Sequence, residues 1–188
     1  MRSTTPIKKL YFIAILLPEG GAHEVTAIKE YFRDSHGSKA ALRSPPHITL
    51  HMPFYWPDKK LDQLKHFIET FAQDRDAINL TLQNFKSFPP RVIYIDVLPN
   101  PQLTELQQAL RKEVKKDLKL FNANYKDRPF VPHVTVAFRD LRKSAYYSAW
   151  ETFGSKEFHY QFLATELSLL KHDGKVWRVM NRFPFGPH

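Results

Sequence analysis

Pro46-His47-Ile48-Thr49-Leu50 is the stretch that decides the fold, because its pattern returns as Pro132-His133-Val134-Thr135-Val136. Both copies place a histidine and a threonine two residues apart among β-branched and aliphatic residues, which is typical of a strand. Side chains alternate between the two faces of a strand, so each histidine shares a face with its threonine. The two copies are separated by close to half of the 188 residues. This spacing predicts duplicated lobes whose reactive faces meet at one cleft.

The overall composition is that of a globular protein. The chain has 188 residues, of which 43% are hydrophobic and 25% charged. It is long enough to bury a sizeable core, and we expect one two-lobed domain over residues 1–188, with approximate halves 1–95 and 96–188. The longest apolar run, residues 10–17, is far shorter than the roughly 20 residues that span a bilayer. No signal-peptide pattern is evident, so we expect a soluble, cytoplasmic protein without a membrane partner.

Cysteine content and charge narrow the function classes. The chain has no cysteine, which excludes disulfides, thiolate metal sites and a cysteine nucleophile. The formal net charge of +9 is compatible with a solvated basic surface and also with a polyanionic partner, since lysine and arginine pair with phosphate. The phosphate chemistry of the motifs, described below, favours RNA or a nucleotide as the partner. No protein partner is indicated, and we expect a monomer.

Apolar periodicity predicts the order βαβαβ-βαβαββ. The amphipathic stretches predict helices, one of them stopped at His36-Gly37, one capped by Asp58 and one capped by Asn100. Asp173-Gly174 predicts a hairpin with a two-residue turn. The predicted strands lie at about 9–17, the first motif, 77–85, 91–98, 130–139, 162–171 and 175–182. We therefore expect an α+β bilobal fold, with two antiparallel sheets facing a central cleft and helices on the outside.

The motif residues are suited to acid–base chemistry on a phosphate. Histidine has an unperturbed pKa of about 6.5, so His47 and His133 can divide the work of accepting and donating a proton near neutrality. The hydroxyls of Thr49 and Thr135 can donate hydrogen bonds to phosphate oxygens as charge develops on them. This mechanism requires no metal ion, and the sequence does not decide which histidine starts neutral.

The two motifs resemble those of the two-histidine (2H) phosphoesterase superfamily, whose members carry two His-x-Thr-x motifs with a hydrophobic fourth position. The resemblance is closest to the branch of 2′-5′ RNA ligases and RNA 2′,3′-cyclic phosphodiesterases, and it spans nearly the whole chain. It implies opening of 2′,3′-cyclic phosphates to 2′-phosphates, and in some members the joining of RNA ends through 2′-5′ linkages. It implies His47, Thr49, His133 and Thr135 as site residues and no metal or nucleotide cofactor.

The chain departs from the ligase branch just after the second motif. An arginine often stands there at the position that Phe138 occupies in this chain, and here the arginine is Arg139. Counting along an unbroken strand, Arg139 shares the face of His133 and Thr135 and can reach a phosphate. Other candidates for contacting substrate are loop arginines that precede the motifs and aromatic residues that could stack on a base: Arg43, Arg128, Tyr11, Phe54, Tyr55, Trp56 and Tyr94.

Several alternatives stay open at this level. A single His-x-Thr copy is explained by a hydrogen-bonded histidine at a strand edge, but two matched copies are not. The His47 and His51 spacing occurs in zinc sites, although the His-Glu-x-x-His pattern is missing, and His51 is interpreted as a cleft neighbour or an exposed residue. A metal hydrolase using the nine histidines is a further alternative. The substrate could instead be a small cyclic nucleotide or ADP-ribose cyclic phosphate, and the chain could be a non-catalytic RNA-binding module.

Overall fold

The structure is a computed structural model that describes residues 8–121 and 129–186. It contains four helices and eight strands within those residues. The helices are α1 (Glu19–His36), α2 (Leu61–Gln73), α3 (Pro101–Asp117) and α4 (Lys143–Phe153). The strands are β1 (Lys8–Leu16), β2 (His47–Pro57), β3 (Ile78–Phe88), β4 (Val92–Val97), β5 (His133–Ala137), β6 (His159–Ala164), β7 (Glu166–His172) and β8 (Trp177–Pro184).

The strands form two antiparallel sheets of four strands each. The first sheet has the order β2-β1-β7-β8, and the second has the order β5-β4-β3-β6. Helices pack on both sheets, with α2 against β7 and β8 and α3 against β2, while α4 lies against α1 and β4. The predicted α+β fold with two antiparallel sheets is confirmed. The first sheet takes strands from both ends of the chain, so the sheets do not coincide with the approximate halves 1–95 and 96–188.

One predicted strand is in fact two. The stretch 162–171 was expected to be continuous, but Thr165 interrupts it and the chain crosses between the sheets there. On one side β6 pairs with β3 in the second sheet, and on the other β7 pairs with β1 in the first. Apolar residues occur on both sides of the crossing, although β6 alternates between buried and exposed residues while β7 is largely buried. The hydrophobic pattern therefore carries no clear sign of the break.

The predicted ends of two helices are correct, whereas the predicted Asp58 cap and the two-residue hairpin turn are wrong. Gly37 ends α1 in the left-handed conformation, with φ 66°, and the Asn100 side chain accepts a hydrogen bond from the Leu103 N–H at the start of α3. Asp58 does not cap α2, because its carboxylate accepts hydrogen bonds from Tyr11 and Lys171 instead. The β7–β8 hairpin forms, but its turn spans 173–176 rather than two residues, since the Asp173 carboxylate accepts from the N–H groups of residues 175 and 176.

The motif strands separate polar from apolar residues as alternation requires. On β2, Ile48 and Leu50 are fully buried while His47 and Thr49 are partly exposed. On β5, Val134 and Val136 are likewise buried in the main core. Each such aliphatic side chain stabilises the fold by roughly 1.5–3 kcal/mol through removal from water. The apolar faces therefore hold the two strands down and leave the histidines on the opposite side.

No helix among residues 8–121 and 129–186 has the length and apolar character that a bilayer crossing requires.

Candidate active site

The two motif strands meet where the sheets meet. Strand β2 is the edge of the first sheet and β5 is the edge of the second. Their Cα atoms approach within 8 Å of each other, and α1 packs against β5 beside them. This proximity agrees with the direction in which positive charge on the His133 ring changes the pKa of His47, which it lowers. The fold thus brings His47 and His133 to one place from distant parts of the chain.

Both imidazoles are held by the same kind of hydrogen bond. His47 Nδ1 lies 2.6 Å from the carbonyl oxygen of Pro45, and His133 Nδ1 lies 2.7 Å from that of Val131. A carbonyl oxygen can only accept, so Nδ1 donates in both residues and carries the ring hydrogen. In the neutral state Nε2 is then the unprotonated nitrogen of each ring and is available to accept a proton. The repeated contact orients both histidines in the same way, each through the carbonyl two residues before it.

Aromatic rings enclose each histidine. The Phe12 ring lies 4.8 Å from that of His47, and Trp177 packs edge-on against Phe12 at 4.6 Å. On the other side, Tyr94 lies 4.9 Å and Phe88 5.4 Å from the His133 ring. These rings exclude water from part of each imidazole surface, and burial lowers the pKa of both histidines because it disfavours the charged form.

The two histidines differ in their charged neighbours. Burial is the largest cause that lowers the pKa of His47, and the Lys29 ammonium lowers it further, to about 4. The pKa of His133 is also lowered by burial, but the hydrogen bond to Val131 and the Asp96 carboxylate oppose that change. Asp96 stands opposite His133 in the β4–β5 ladder and pairs with Lys86 at 2.8 Å. The site is therefore asymmetric, with a cation beside one imidazole and a carboxylate beside the other.

The two motif threonines occupy equivalent ladder positions. Thr49 stands opposite Ala14 on the neighbouring strand, and Thr135 stands opposite Tyr94. Both threonines are partly exposed, as are their histidines. Each sheet edge therefore presents an imidazole and a hydroxyl on one face, the pair that phosphate chemistry requires.

Phe54 and Arg139 are not placed as the sequence suggested. Phe54 is only 8% exposed and lies in the main core, packed against Tyr11 and His51, so it is not at the cleft. The face-counting argument for Arg139 fails because β5 ends at Ala137 and Arg139 adopts the left-handed conformation, with φ 57°. Tyr94 does lie beside His133, and Arg128 is outside the described residues.

Arg139 instead lines a strongly basic cavity of about 570 Å³, called here the Arg139 cavity. Asp140 also lines it, and its carboxylate accepts hydrogen bonds from the Ser38 hydroxyl and the Lys39 N–H. Among the described residues, none of its five cationic side chains pairs with a carboxylate. These side chains are Lys39, Arg91, Arg139, Arg142 and Lys143.

Sequence reasoning missed three neighbours of the His47 side: Phe12, which packs on the His47 ring, Trp177, which packs on Phe12, and Lys29, whose charge acts on His47. The one sequence signal for Phe12 was its alternation with Tyr11 on β1, which places the two side chains on opposite faces. That pattern does not show that β1 pairs with the first motif strand. Lys29 looks like a solvated helix residue, yet it is 2% exposed. His51 is also buried, at 1% exposed, so the expectation of an exposed residue is wrong. No three His, Cys, Asp or Glu side chains of residues 8–121 and 129–186 cluster as metal ligands.

Comparison with known proteins decides the family. The model of the 2′-5′ RNA ligase superfamily matches residues 17–176, a span that contains both motifs. The chain belongs to this superfamily. It is 30% identical over 158 residues to a Geobacillus sp. (strain WCH70) protein named "Putative phosphoesterase", covering 82% of this chain and 86% of that protein. A Bacillus cytotoxicus protein with the same description is 29% identical over 145 residues, covering 76% and 80% of the two chains.

Solved structures of the superfamily have the same fold. The E. coli LigT structure complexed with 3′-AMP superposes with a TM-score of 0.68 at 22% identity, covering 96% of this chain and 100% of that one. A Thermus thermophilus structure superposes with a TM-score of 0.65 at 19% identity, covering 97% and 100%. Together with the family match, these findings make the chain a phosphoesterase of the 2H superfamily with the LigT fold.

Proposed function

We propose that this protein hydrolyses 2′,3′-cyclic phosphate ends of RNA, with His47 and His133 as its acid–base pair. The observation that carries the proposal is the meeting of two edge strands, each with an imidazole held through Nδ1 by the carbonyl two residues before it. That arrangement leaves two Nε2 atoms for proton transfer on either side of a phosphate. The reaction draws on no metal ion and no nucleotide cofactor.

The asymmetry of charge supports separate roles for the two histidines. His47, beside Lys29, is neutral at physiological pH and takes the proton of an attacking water. His133, beside Asp96, is the imidazole more readily protonated and donates to the leaving oxygen. Water oxygen bonds to phosphorus, the bond from phosphorus to O3′ breaks, and O3′ receives the proton of His133. The product is a 2′-phosphate and a free 3′-hydroxyl.

Thr49 and Thr135 bind the phosphate in this proposal. Their hydroxyls donate hydrogen bonds to the two non-bridging oxygens, on which negative charge grows as the fifth bond to phosphorus forms. If a 5′-hydroxyl of a second RNA end replaces water as the nucleophile, the same groups form a 2′-5′ linkage. Hydrolysis and ligation therefore share one site and differ in the group that attacks.

The test is product analysis on defined cyclic phosphates. A short RNA with a 2′,3′-cyclic end is incubated with the protein and a chelator, and phosphorus NMR follows the cyclic signal. We expect conversion to a 2′-phosphate, with kcat about 10²–10⁴-fold lower in His47→Ala or His133→Ala. Unchanged hydrolysis in either folded variant contradicts the role given to that histidine, and a 3′-phosphate product contradicts the assignment of the leaving oxygen.

The Arg139 cavity favours RNA over a small cyclic nucleotide. ADP-ribose cyclic phosphate carries a diphosphate of its own, and it is distinguished from RNA by comparing kcat/KM for the two substrates. The five cations of the cavity lie beyond the end of β5, where a mononucleotide bound between the histidines has no phosphate to offer. A polynucleotide carries further phosphates that these cations can bind. A higher kcat/KM for the RNA than for the mononucleotide cyclic phosphate supports this assignment, and the reverse order supports the small-molecule alternative. Salt-sensitive RNA binding with no turnover identifies a non-catalytic RNA-binding module.

A further inference from the structure

Lys29 favours a neutral His47 in the proposed mechanism, and it is also a buried cation. It lies on α1 and is 2% exposed. Its Nζ donates one hydrogen bond, 3.1 Å long, to the carbonyl oxygen of Ser44. Among residues 8–121 and 129–186 no carboxylate pairs with it. Burying an ammonium group without a counter-ion is unfavourable, and accordingly burial lowers the pKa of Lys29 to about 7.

Lys29 lines a cavity of about 240 Å³, called here the Lys29 cavity. Arg43, which is exposed, brings a second positive charge to it, and the cavity contains no acidic residue among the described part of the chain. The Thr26 side chain and the Trp177 indole form other parts of its wall. The volume exceeds that of a single water molecule, about 30 Å³, several-fold. In size and charge the cavity is suited to a small anion.

The Lys29 cavity adjoins the proposed catalytic histidine. Pro45 lines the cavity, and its carbonyl oxygen is the acceptor for His47 Nδ1. Trp177 lines it too and packs against Phe12, which in turn packs against the His47 ring. A ligand that reaches from the histidines into this cavity therefore stays in contact with one continuous surface.

We propose that the Lys29 cavity binds a second phosphate of the substrate, the one on O5′ of the nucleotide whose cyclic phosphate reacts. This inference rests on the proposed function, because it takes the cleft between the histidines as the place of the cyclic phosphate. The phosphate accepts hydrogen bonds from the Lys29 ammonium, which has donors to spare, and from the guanidinium of Arg43, whose planar donors match a phosphate. It also supplies the counter-ion that the buried ammonium lacks.

The O5′ phosphate selects among cyclic phosphates. In an RNA it is the diester that links the last two nucleotides, and in a free nucleotide it is a 5′-monoester. A nucleoside 2′,3′-cyclic phosphate without it leaves Lys29 unpaired and binds less tightly. The site thus distinguishes an RNA end from a nucleoside cyclic phosphate that has no phosphate on O5′, independently of the base.

A purely structural role for Lys29 makes a different prediction. In that case its bond to Ser44 only holds the segment that follows the 3-10 turn Ala40–Arg43 and leads into β2. Loss of Lys29 then weakens every ligand of the cleft by the same factor, and loss of Arg43, which takes no part in that bond, changes nothing.

The experiment compares the affinities of two non-reacting ligands by calorimetry in the full-length protein. Adenosine 3′-phosphate offers one phosphate, and adenosine 3′,5′-bisphosphate adds the phosphate on O5′. We expect the bisphosphate to bind about tenfold more tightly or better, because two charge-assisted contacts form. Lys29→Met and Arg43→Gln each reduce this ratio several-fold. Lys112→Met, which removes an exposed lysine of α3, retains it.

Three outcomes overturn the inference. These are equal affinities of the two ligands in the unmodified protein, an unchanged ratio in Arg43→Gln, and a ratio that falls equally in Lys112→Met. A dinucleotide ending in a 3′-phosphate carries the O5′ phosphate as a diester, whereas the bisphosphate carries it as a monoester. Tight binding of both ligands supports a site that accepts either form of the phosphate. Binding is measured without turnover, so a subsite without hydrolysis refutes the proposed function alone, and hydrolysis without a phosphate effect refutes only the subsite.

Discussion

At the scale of single residues, charge separates two histidines that the backbone treats alike. The Nδ1 bonds of His47 and His133 are nearly equal in length, yet Lys29 stands near the first and Asp96 near the second. A cation favours a neutral imidazole and a carboxylate favours a protonated one. The assignment of base and acid therefore depends on neighbours that the motifs do not contain.

Replacing Asp96 with asparagine tests the acid role of His133. As a general acid His133 is active when protonated, so kcat/KM falls as the pH rises through its pKa. Asp96 raises the pKa of His133, so without the carboxylate that pKa drops. We expect the alkaline limb of the pH profile to move to lower pH while the acidic limb stays in place. Glu105→Gln, an exposed substitution on α3, serves as the control and leaves both limbs unchanged.

His47 is partly exposed, but the groups packed around its ring remove enough water to make folding depend on pH. Its pKa falls from 6.5 to about 4 on folding, so the unfolded chain binds the proton more readily between those values. The resulting stabilisation is fully present above pH 6.5 and is lost as the pH falls to about 4, an effect of up to about 3 kcal/mol. His47→Gln lacks this contribution. Urea unfolding at several pH values then shows a smaller loss of stability on acidification, and parallel curves for the two proteins contradict the assigned burial.

At the scale of elements, the site depends on two edge strands that are anchored by their apolar faces. Among the strands that the structure describes, β2 and β5 each have a ladder partner on one side only. The other side of each strand is free to face the opposite sheet, which is why the two motifs come together. The buried residues of each strand, such as Ile48 and Leu50 on β2, hold that edge against the core.

Ile48→Ala measures the strength of this anchor. The side chain is fully buried between a histidine and a threonine of the motif, and truncation leaves a cavity that the core fills only in part. We expect the free energy of unfolding to fall by about 2–5 kcal/mol in chemical denaturation. Tyr55→Ala lies on the same strand at 64% exposure and is expected to cost less than about 1 kcal/mol. Similar losses in the two variants contradict the anchoring role.

At the scale of the whole molecule, positive charge is gathered where the second motif strand ends. The net charge of +9 is compatible with a polyanionic partner without locating its contacts. Five cationic side chains line the Arg139 cavity, and two more line the Lys29 cavity. The two cavities flank one segment of the chain, since Lys39, which precedes the 3-10 turn Ala40–Arg43, lines the first and Arg43 lines the second.

The double substitution Arg139→Gln and Arg142→Gln tests whether the Arg139 cavity binds RNA phosphates. The affinity for a short RNA is measured over a range of salt concentrations. Each lost phosphate contact reduces the slope of log K against log salt by about 0.7 for a single strand, so we expect a weaker and less salt-sensitive complex. Lys112→Gln with Lys116→Gln, which removes two exposed charges of α3, is the matched control. If the control shows an equal decrease in the slope of log K against log salt, the weaker RNA binding is due to net charge and not to the Arg139 cavity.

Much of the fold was predictable because its signals are local. Alternation around His47 and His133, the Asn100 cap and the glycine at the end of α1 depend on a few neighbouring residues, and the structure agrees with each of them. The break at Thr165 was not predictable, because two strands in succession, with apolar residues on both sides of the break, resemble one long strand. The position of Arg139 was missed for a related reason, since counting faces requires a strand that continues past Ala137.

The sequence by itself determined that two strands would each present a histidine and a threonine on one face, and that the chain carries an excess of positive charge. Those properties follow from alternation and composition, which need no knowledge of distant residues. Only the tertiary structure decided that β2 and β5 are the edges that meet, that Phe54 turns into the core, and that Lys29 and Asp96 flank different imidazoles. The reason is physical: strand order, burial and the electrostatic neighbours of a side chain are set by contacts between residues far apart in the chain.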